Sequence, residues 1–293
     1  METVLFDSPV VKIEAFELAP SQEKFHQIGH IQHPIAVFPK NPIWIKHEGK
    51  QSFVADTSLV NFYNQDQVYS RSLIDPRGDY CHCFSLREDI LCEQLGHDRS
   101  ANEMFHFQHL RSSRSAFMLQ LGILRSLSAL RTRERGEKAN ILSSTIMTIE
   151  EQSLALFSLI LDPVSKESHT YKAGKSRLRQ KKLVERIKSS LQENISQQLS
   201  LTDLAQEHHL SVYHLSRLFK QHCGIGISQY RLQQRLRAAS LAILRGQNLT
   251  SLALDYGFSS HSHFSASFRH YFGCTPSDFR QHQPQQTAIF QRN

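Results

Sequence analysis

Along the first 112 residues, apolar positions come in short runs separated by turn formers. The runs at 10–13, 35–38, 43–45, 59–62 and 80–84 are divided by segments such as 39–42 (Pro-Lys-Asn-Pro), 47–50 (His-Glu-Gly-Lys) and 75–78 (Asp-Pro-Arg-Gly). This pattern predicts short antiparallel strands closing a sandwich or barrel. From 113 the period changes to that of a helix. Phe117, Leu121, Leu124 and Leu127 recur at helical spacing, widened by Met118 and Leu130. After a charged turn at 131–138, a second helix is predicted over 139–161 on Ile141, Ile146, Ile149, Leu156 and Ile160. Two helices joined by so short a loop pack antiparallel. Their apolar faces cover the strands, and one face is also a candidate dimer interface.

Residues 162–180 are polar, contain Pro, Gly and Ser, and show no apolar period, as a linker does. Beyond them Leu183, Ile187, Leu191 and Ile195 advance in steps of four and predict an amphipathic helix. Ser200 or Thr202 can cap the next helix, which buries Leu201, Leu204 and Ala205. A turn through His209 and Leu210 leads to Ser211, an N-cap for a helix over 212–222 with Leu215, Leu218 and Phe219 facing inward. Gly224 ends it. A helix over 228–245 follows on Leu232, Leu236, Ala239 and Ile243. Roughly 18 residues at 1.5 Å rise span about 27 Å. Gly257 then makes a turn anchored by Phe258, Ser259 or Ser260 caps a further helix ending near Gly273, and Pro276 suits the first turn of a closing helix.

The two parts of this region repeat. Leu201-Thr202 and Leu204-Ala205 match Leu249-Thr250 and Leu252-Ala253. After one extra residue in the second turn, Leu215 pairs with Phe264, Phe219 with Phe268, Lys220 with Arg269, Gly224 with Gly273, and Tyr230-Arg231 with Phe279-Arg280. A duplicated helix-turn-helix explains the spacing, and that motif delivers helices into DNA major grooves.

Charge sharpens the reading. Residues 171–282 carry 16 Lys and Arg against 6 Asp and Glu, leaving 18 against 21 elsewhere, although the whole chain has a net charge of +7. A basic module joined to a mildly acidic one fits a polyanion-binding domain carried by something else. No run approaches the roughly 18–20 apolar residues of a membrane span, and the N-terminus lacks the pattern of a signal peptide. The five cysteines have no framework spacing, which implies a reduced, cytoplasmic protein.

The segment ALDYGFSSHSHFSASFRHYFGCTPSDFR at 253–280 resembles the signature of AraC/XylS-type transcription regulators, and the resemblance extends over about 180–282. It implies that each helix-turn-helix inserts a helix into successive major grooves on one face of double-stranded DNA. By position, Tyr213, Ser216 and Arg217 in the first motif and His261, Ser262 and Ser265 in the second are the base-reading candidates. His214, Lys220 and Arg269 complete the outward faces, and Lys220, Arg269, Arg235 and Arg237 suit phosphates. One departure stands out: Ala266 occupies the place matching Arg217, where many relatives carry a long polar residue. Arginine bonds bidentately to guanine, whereas alanine reaches only a thymine methyl. The first motif is therefore expected to dominate sequence reading.

The resemblance also implies a cupin-like N-terminal domain that binds a small-molecule effector and dimerises. The expected fold is α+β: an N-terminal antiparallel β-barrel or sandwich of cupin-like type with two helices, then an all-α domain with two helix-turn-helix motifs. The expected division is 1–161 for effector and dimerisation, 162–180 linker, 181–282 for DNA binding, and 283–293 a flexible tail. The implied function is a regulator, leaning to activation, that meets RNA polymerase as a homodimer. The alternative is the same DNA-binding class governed by a protein partner or constitutive.

Enzymatic readings find little support. His26, His30, His33 and the Cys81-His82-Cys83 trio do not form the cupin metal pattern, and on one strand Cys81 and Cys83 share a face while His82 points away. Neither a catalytic set nor a metal or other cofactor is expected. A DNA-repair enzyme would need an alkyl-accepting cysteine cluster, and none is evident. Tyr63, Tyr69, Trp44, His47 and Arg71 are candidates to line an effector pocket because they sit among the predicted strands.

Overall fold

The computed structural model describes residues 2–96, 100–133, 139–166, 175–197 and 199–281. Among the described residues the N-terminal half has ten strands: β1 (Glu2–Asp7), β2 (Val11–Leu18), β3 (Gly29–His30), β4 (Ile35–Pro39), β5 (Ile43–His47), β6 (Phe53–Ala55), β7 (Leu59–Tyr63), β8 (Val68–Leu73), β9 (Asp79–Leu86) and β10 (His109–Arg111). They pair antiparallel into a six-stranded sheet, ordered β1-β2-β9-β4-β7-β10, and a four-stranded sheet, ordered β3-β8-β5-β6.

The period-two alternation of each strand sorts side chains into two cores. Leu18, Val37, Ile43, Ile45, Phe53 and Tyr63 meet between the sheets. On the other face of the larger sheet, Ile13, Ala36, Phe38, Phe62 and Phe84 pack against three helices: α1 (Glu88–Leu95), α2 (Arg114–Arg133) and α3 (Ala139–Lys166). Sheet, sheet and helices thus form three layers. As expected, Cys81 faces the inter-sheet core and His82 does not.

The mixed α+β class holds, but the cupin-like barrel does not form. Its strands make two open sheets, the chain crosses between them at every connection from β2 to β9 except β5–β6, and among the described residues no ladder joins one sheet to the other. Closure requires a continuous stagger of paired strands around a ring. Here β1 and β10 remain edges of the larger sheet, β3 and β6 edges of the smaller, and β3 has two residues and β10 three.

Helix α2 answers to two cores. Ala116, Ile123 and Leu127 lie against the sheet. Phe117, Met118 and Leu121 turn the other way and join Leu236, Ala239, Leu252, Phe264, Phe268, Phe272 and Phe279 from the C-terminal helices. The stripe expected to cover the strands is therefore shared with the C-terminal helices. In α3, Ile149, Leu156 and Ile160 are buried as their spacing predicts, while the side chain of Ile141 lies outside the described residues. The candidate charged turn at 131–138 also falls largely outside them.

Candidate nucleic-acid interface

Among the described residues the C-terminal region has seven helices: α4 (Lys175–Glu193), α5 (Leu201–Glu207), α6 (Val212–Cys223), α7 (Ile227–Leu244), α8 (Leu249–Asp255), α9 (His261–Phe272) and α10 (Pro276–Gln281). The local chemistry sets their ends. Ser200 accepts from the Asp203 amide while Asp203 returns a bond to the Ser200 amide, a reciprocal capping box at α5. Ser211 caps α6 by accepting from the His214 amide at 3.2 Å, and Ser260 caps α9 by accepting from that of His263 at 3.1 Å. Gly224 and Gly273 end these two helices with φ of 67° and 82°, conformations that favour glycine. Gly257, between α8 and α9, has φ 71°, and a Cβ there would meet the Ser196 carbonyl oxygen at 2.2 Å.

In the first motif, Leu215, Leu218 and Phe219 of α6 pack on Val184, Ile187 and Leu191 of α4 and on Leu204 and Ala205 of α5. The α4 stripe thus runs through Val184, with Leu183 at its edge and Ile195 beyond the helix. The opposite face of α6 presents Tyr213 (77% exposed), His214, Arg217 and Lys220, with Ser216 half-buried. In the second motif, Phe264, Phe268 and Phe272 of α9 pack on Leu252, Ala253 and Phe279. His261, Ser262, Ala266 and Arg269 are exposed, and Ser265 lies one turn from His261, with its hydroxyl 3.5 Å from that imidazole's Nδ1. Among the described residues, the side chains of Arg217, Lys220 and Arg269 have no ion-pair or hydrogen-bond partner. Two helices therefore each show solvent a polar face with an uncompensated cation.

Two arginines assigned to phosphates are instead committed to the protein. Arg237 is 2% exposed and donates to the carbonyls of Thr57 and Ser112 and to the Tyr271 hydroxyl. Arg235 donates to the carbonyls of Ile195, Gly257 and Gln197. Both lie on α7, which runs between the motifs, where a buried carbonyl competes with solvent for every donor. Leu232 on the same helix, expected in its apolar stripe, is exposed.

The turn after β6 is keyed into the first motif by a buried polar network that sequence reasoning did not anticipate. Lys188 of α4 donates to the Val54 carbonyl at 3.0 Å and to Glu185 at 3.2 Å, and its ammonium lies 3.7 Å from Asp56. Glu185 accepts from the Val54 amide at 2.7 Å. Tyr230 of α7 donates its hydroxyl to Asp56, Gln234 donates to Asp56 at 3.1 Å, and Thr57 donates to Gln234 at 2.7 Å. Burial alone would raise the Asp56 carboxyl. The Lys188 charge and the hydrogen bonds from Ser58 and Tyr230 outweigh it and hold the group below its ordinary value. For Lys188, burial lowers and Glu185 and Asp56 raise, with a net upward shift. The lowered carboxyl strengthens the fold above the ordinary aspartate range, and that contribution is lost as pH falls through its folded value.

A second set of contacts comes from the junction of β10 and α2. Arg111 donates to the His222 carbonyl near the end of α6, at 3.2 Å. Arg114 lies over the Tyr271 ring near the end of α9, its guanidinium carbon 5.8 Å from the centroid, and Phe117 packs on Phe272. The N-terminal half therefore holds both outward-facing helices at their C-terminal ends.

Of the pocket candidates, Tyr63, Tyr69 and Arg71 line a cavity between the two sheets. Trp44 donates its indole N–H to Ser189 of α4 at 3.1 Å. His47 is buried against Phe53 and Tyr63. No helix among the described residues is long and apolar enough to cross a membrane, and no cluster of three or more metal-ligating residues occurs among them.

Comparison with known proteins agrees with this geometry. Residues 204–282 match a family described as a helix-turn-helix domain. The chain is 36% identical over 98 residues to the HTH-type transcriptional activator RhaR of Mannheimia succiniciproducens, covering 33% of this chain and 36% of that protein. It is 36% identical over 91 residues to the HTH-type transcriptional regulator ArgR of Pseudomonas aeruginosa, covering 31% and 28%. The matched segment thus spans about a third of the length of these relatives. Among solved structures, an AraC-type DNA-binding-domain regulator from Chromobacterium violaceum is 32% identical, covering 37% of this chain and 98% of that one, with a TM-score of 0.34. Residues 204–282 thus match a helix-turn-helix domain, and it is in this segment that the chain is similar to HTH-type transcriptional regulators.

Proposed function

We propose that this chain is a sequence-specific DNA-binding transcription regulator whose N-terminal half takes a small-molecule effector. The observation that carries the reading is the pair of capped helices, α6 and α9, each with a buried apolar face and an outward polar one. Residues 181–282 form the DNA-binding unit and 1–161 the effector and dimerisation unit, joined through 162–180, although 162–166 and 175–180 belong to α3 and α4 rather than to a linker; the expected tail at 283–293 lies outside the described residues. Tyr213, Ser216 and Arg217 read bases in one groove, and His261, Ser262 and Ser265 read the next. His214, Lys220 and Arg269 contact the backbone. As a homodimer the protein occupies paired sites and engages RNA polymerase, acting as an activator like the relative whose name says so.

The phosphate contacts make a direct test available. Cations that neutralise phosphates release counterions, so log affinity falls linearly with log salt, with a slope of roughly −0.9 per phosphate contacted. Fluorescence anisotropy on duplex DNA at increasing KCl should give a steep negative slope. A flat line would remove the phosphate assignments.

A further inference from the structure

The cavity between the two sheets is about 860 Å³, within the range of small-molecule sites. Its walls are apolar, with Leu18, Ile31, Ile35, Val37, Ile43 and Ile45 among them. Strand β3 and the short 3-10 helix Glu23–His26 lie at its edge, and a Cβ on Gly29 would strike the Tyr69 ring at 2.3 Å. Exposed charged side chains, Glu2, Glu23, Lys24 and His30, line its outer part, while Asn61, Arg71 and Asp79 lie deep.

The Arg71 side chain is 4% exposed, and its Nε lies 3.2 Å from the Asp79 carboxylate, an ion pair in which that Nε makes no hydrogen bond. It also donates to the Tyr69 hydroxyl, and its guanidinium lies over the rings of Phe16 and Tyr69, 5.3 and 5.0 Å from their centroids. The two buried charges therefore balance each other. Asn61 is different. It sits on β7 between Leu59 and Tyr63, is 1% exposed, lines the cavity, and its Oδ1 has no hydrogen-bond partner. A buried acceptor left unmatched is costly, which makes it a place where a ligand's donor is rewarded.

From this arrangement we infer that the cavity binds an uncharged, largely apolar molecule carrying a hydroxyl or amide group that donates to Asn61. At the depth of Asn61, away from Lys24 and His30 on the outer part, a carboxylate would have to share Arg71 with Asp79 and leave one buried anion in excess. An amine would find Asp79 already taken and leave an excess cation. Each excess charge in a low-dielectric site is strongly unfavourable. A neutral molecule instead removes apolar surface from water along the cavity walls and disturbs neither member of the pair. Burial raises the Asp79 carboxyl to about 6, against the opposing pull of Arg71, so the pair is charged at the alkaline pH of the test. This assignment deepens the reading of an effector-controlled regulator and rests on it only for its consequence, because binding is measured without DNA.

The test is calorimetric titration of the full chain at pH 8 with three matched probes: phenylhexanol, phenylhexanoate and phenylhexylamine. The alcohol is expected to bind at least about tenfold more tightly than either charged probe. Asn61→Leu, which keeps the volume and removes the acceptor, should weaken the alcohol roughly three- to tenfold. Circular dichroism checks that this variant is folded; if it is not, the three-probe comparison on the unaltered chain decides alone. Equal or tighter binding of the acid or the amine overturns the inference, as does the absence of heat from all three. Unchanged alcohol affinity in a folded Asn61→Leu protein overturns the role of Asn61. Loss of DNA binding in a parallel anisotropy assay would refute the regulator reading and leave this one standing.

Discussion

Replacing Lys188 with methionine should lower the free energy of unfolding by about 3–5 kcal/mol, the scale of a buried ion pair broken from one side. Urea denaturation followed by circular dichroism would measure it. Methionine fills the space of the lysine stem but leaves Asp56 and Glu185 buried without a cation. It also removes the donor to the Val54 carbonyl. Lys182→Met on the exposed face of the same helix is the control and should stay within roughly 0.5 kcal/mol. A Lys188→Met change as mild as the control would mean that water reaches the Asp56 network. The effect matters beyond stability, because Asp56 is bonded to Tyr230 and Gln234 of α7, the helix that runs between the two motifs. Loosening the network loosens the hold of the N-terminal half on the first motif.

The second large effect concerns base reading. Arg217→Ala should cost about 1–3 kcal/mol of discrimination between a cognate and a scrambled site, because a bidentate arginine–guanine contact is worth that much. Arg269→Ala should weaken both sites about equally and reduce the salt slope by roughly 1, as expected for a phosphate contact. The contrast follows from the repeat: Arg217 in α6 corresponds to Ala266 in α9, and both are exposed on outward faces. Competition binding at constant salt measures both variants. An Arg217→Ala protein that kept its full preference would place the reading elsewhere on the helix.

The helices of the C-terminal region were legible because their signals are local. Ser200, Ser211 and Ser260 cap the turns that follow them, and Gly224 and Gly273 adopt the conformation glycine tolerates. Five of the strands were legible for a similar reason, as apolar runs between turn formers. Strand β8 was not, since Val68–Leu73 is half exposed and carries Ser70, Arg71 and Ser72. Strand β6 has only three residues. Sheet closure was misjudged because period and turns report that strands exist, whereas whether a ring closes depends on which strands pair. The buried network was illegible altogether. Asp56 meets Tyr230 and Gln234 across more than 170 residues of chain, and nothing in the neighbourhood of any of them marks the others. The same blindness sent Arg235 and Arg237 to phosphates: a basic residue on a helix beside a DNA-reading motif looks available until the carbonyls around it are known.

The face of α2 shows the same limit with a functional consequence. Phe117, Met118 and Leu121 complete the core of the second motif, and the junction before them touches the ends of both outward-facing helices. The two halves of the protein are thus packed as one body around the helices proposed to read DNA. A ligand held between the sheets would lie beside β7, whose residues begin three positions after Asp56. That continuity supplies a physical route by which an occupied cavity could bias the motifs.

The measurement that bears most directly on the account is selection of bound sequences from random duplex DNA with the full chain, read as information per base position. The account predicts enrichment of a site with two contacted segments about one helical turn apart, roughly 10–10.5 base pairs, the segment read by the motif containing Arg217 holding more information than the other. Recovery of unenriched sequence, or of a site with equal information in both segments, would contradict it.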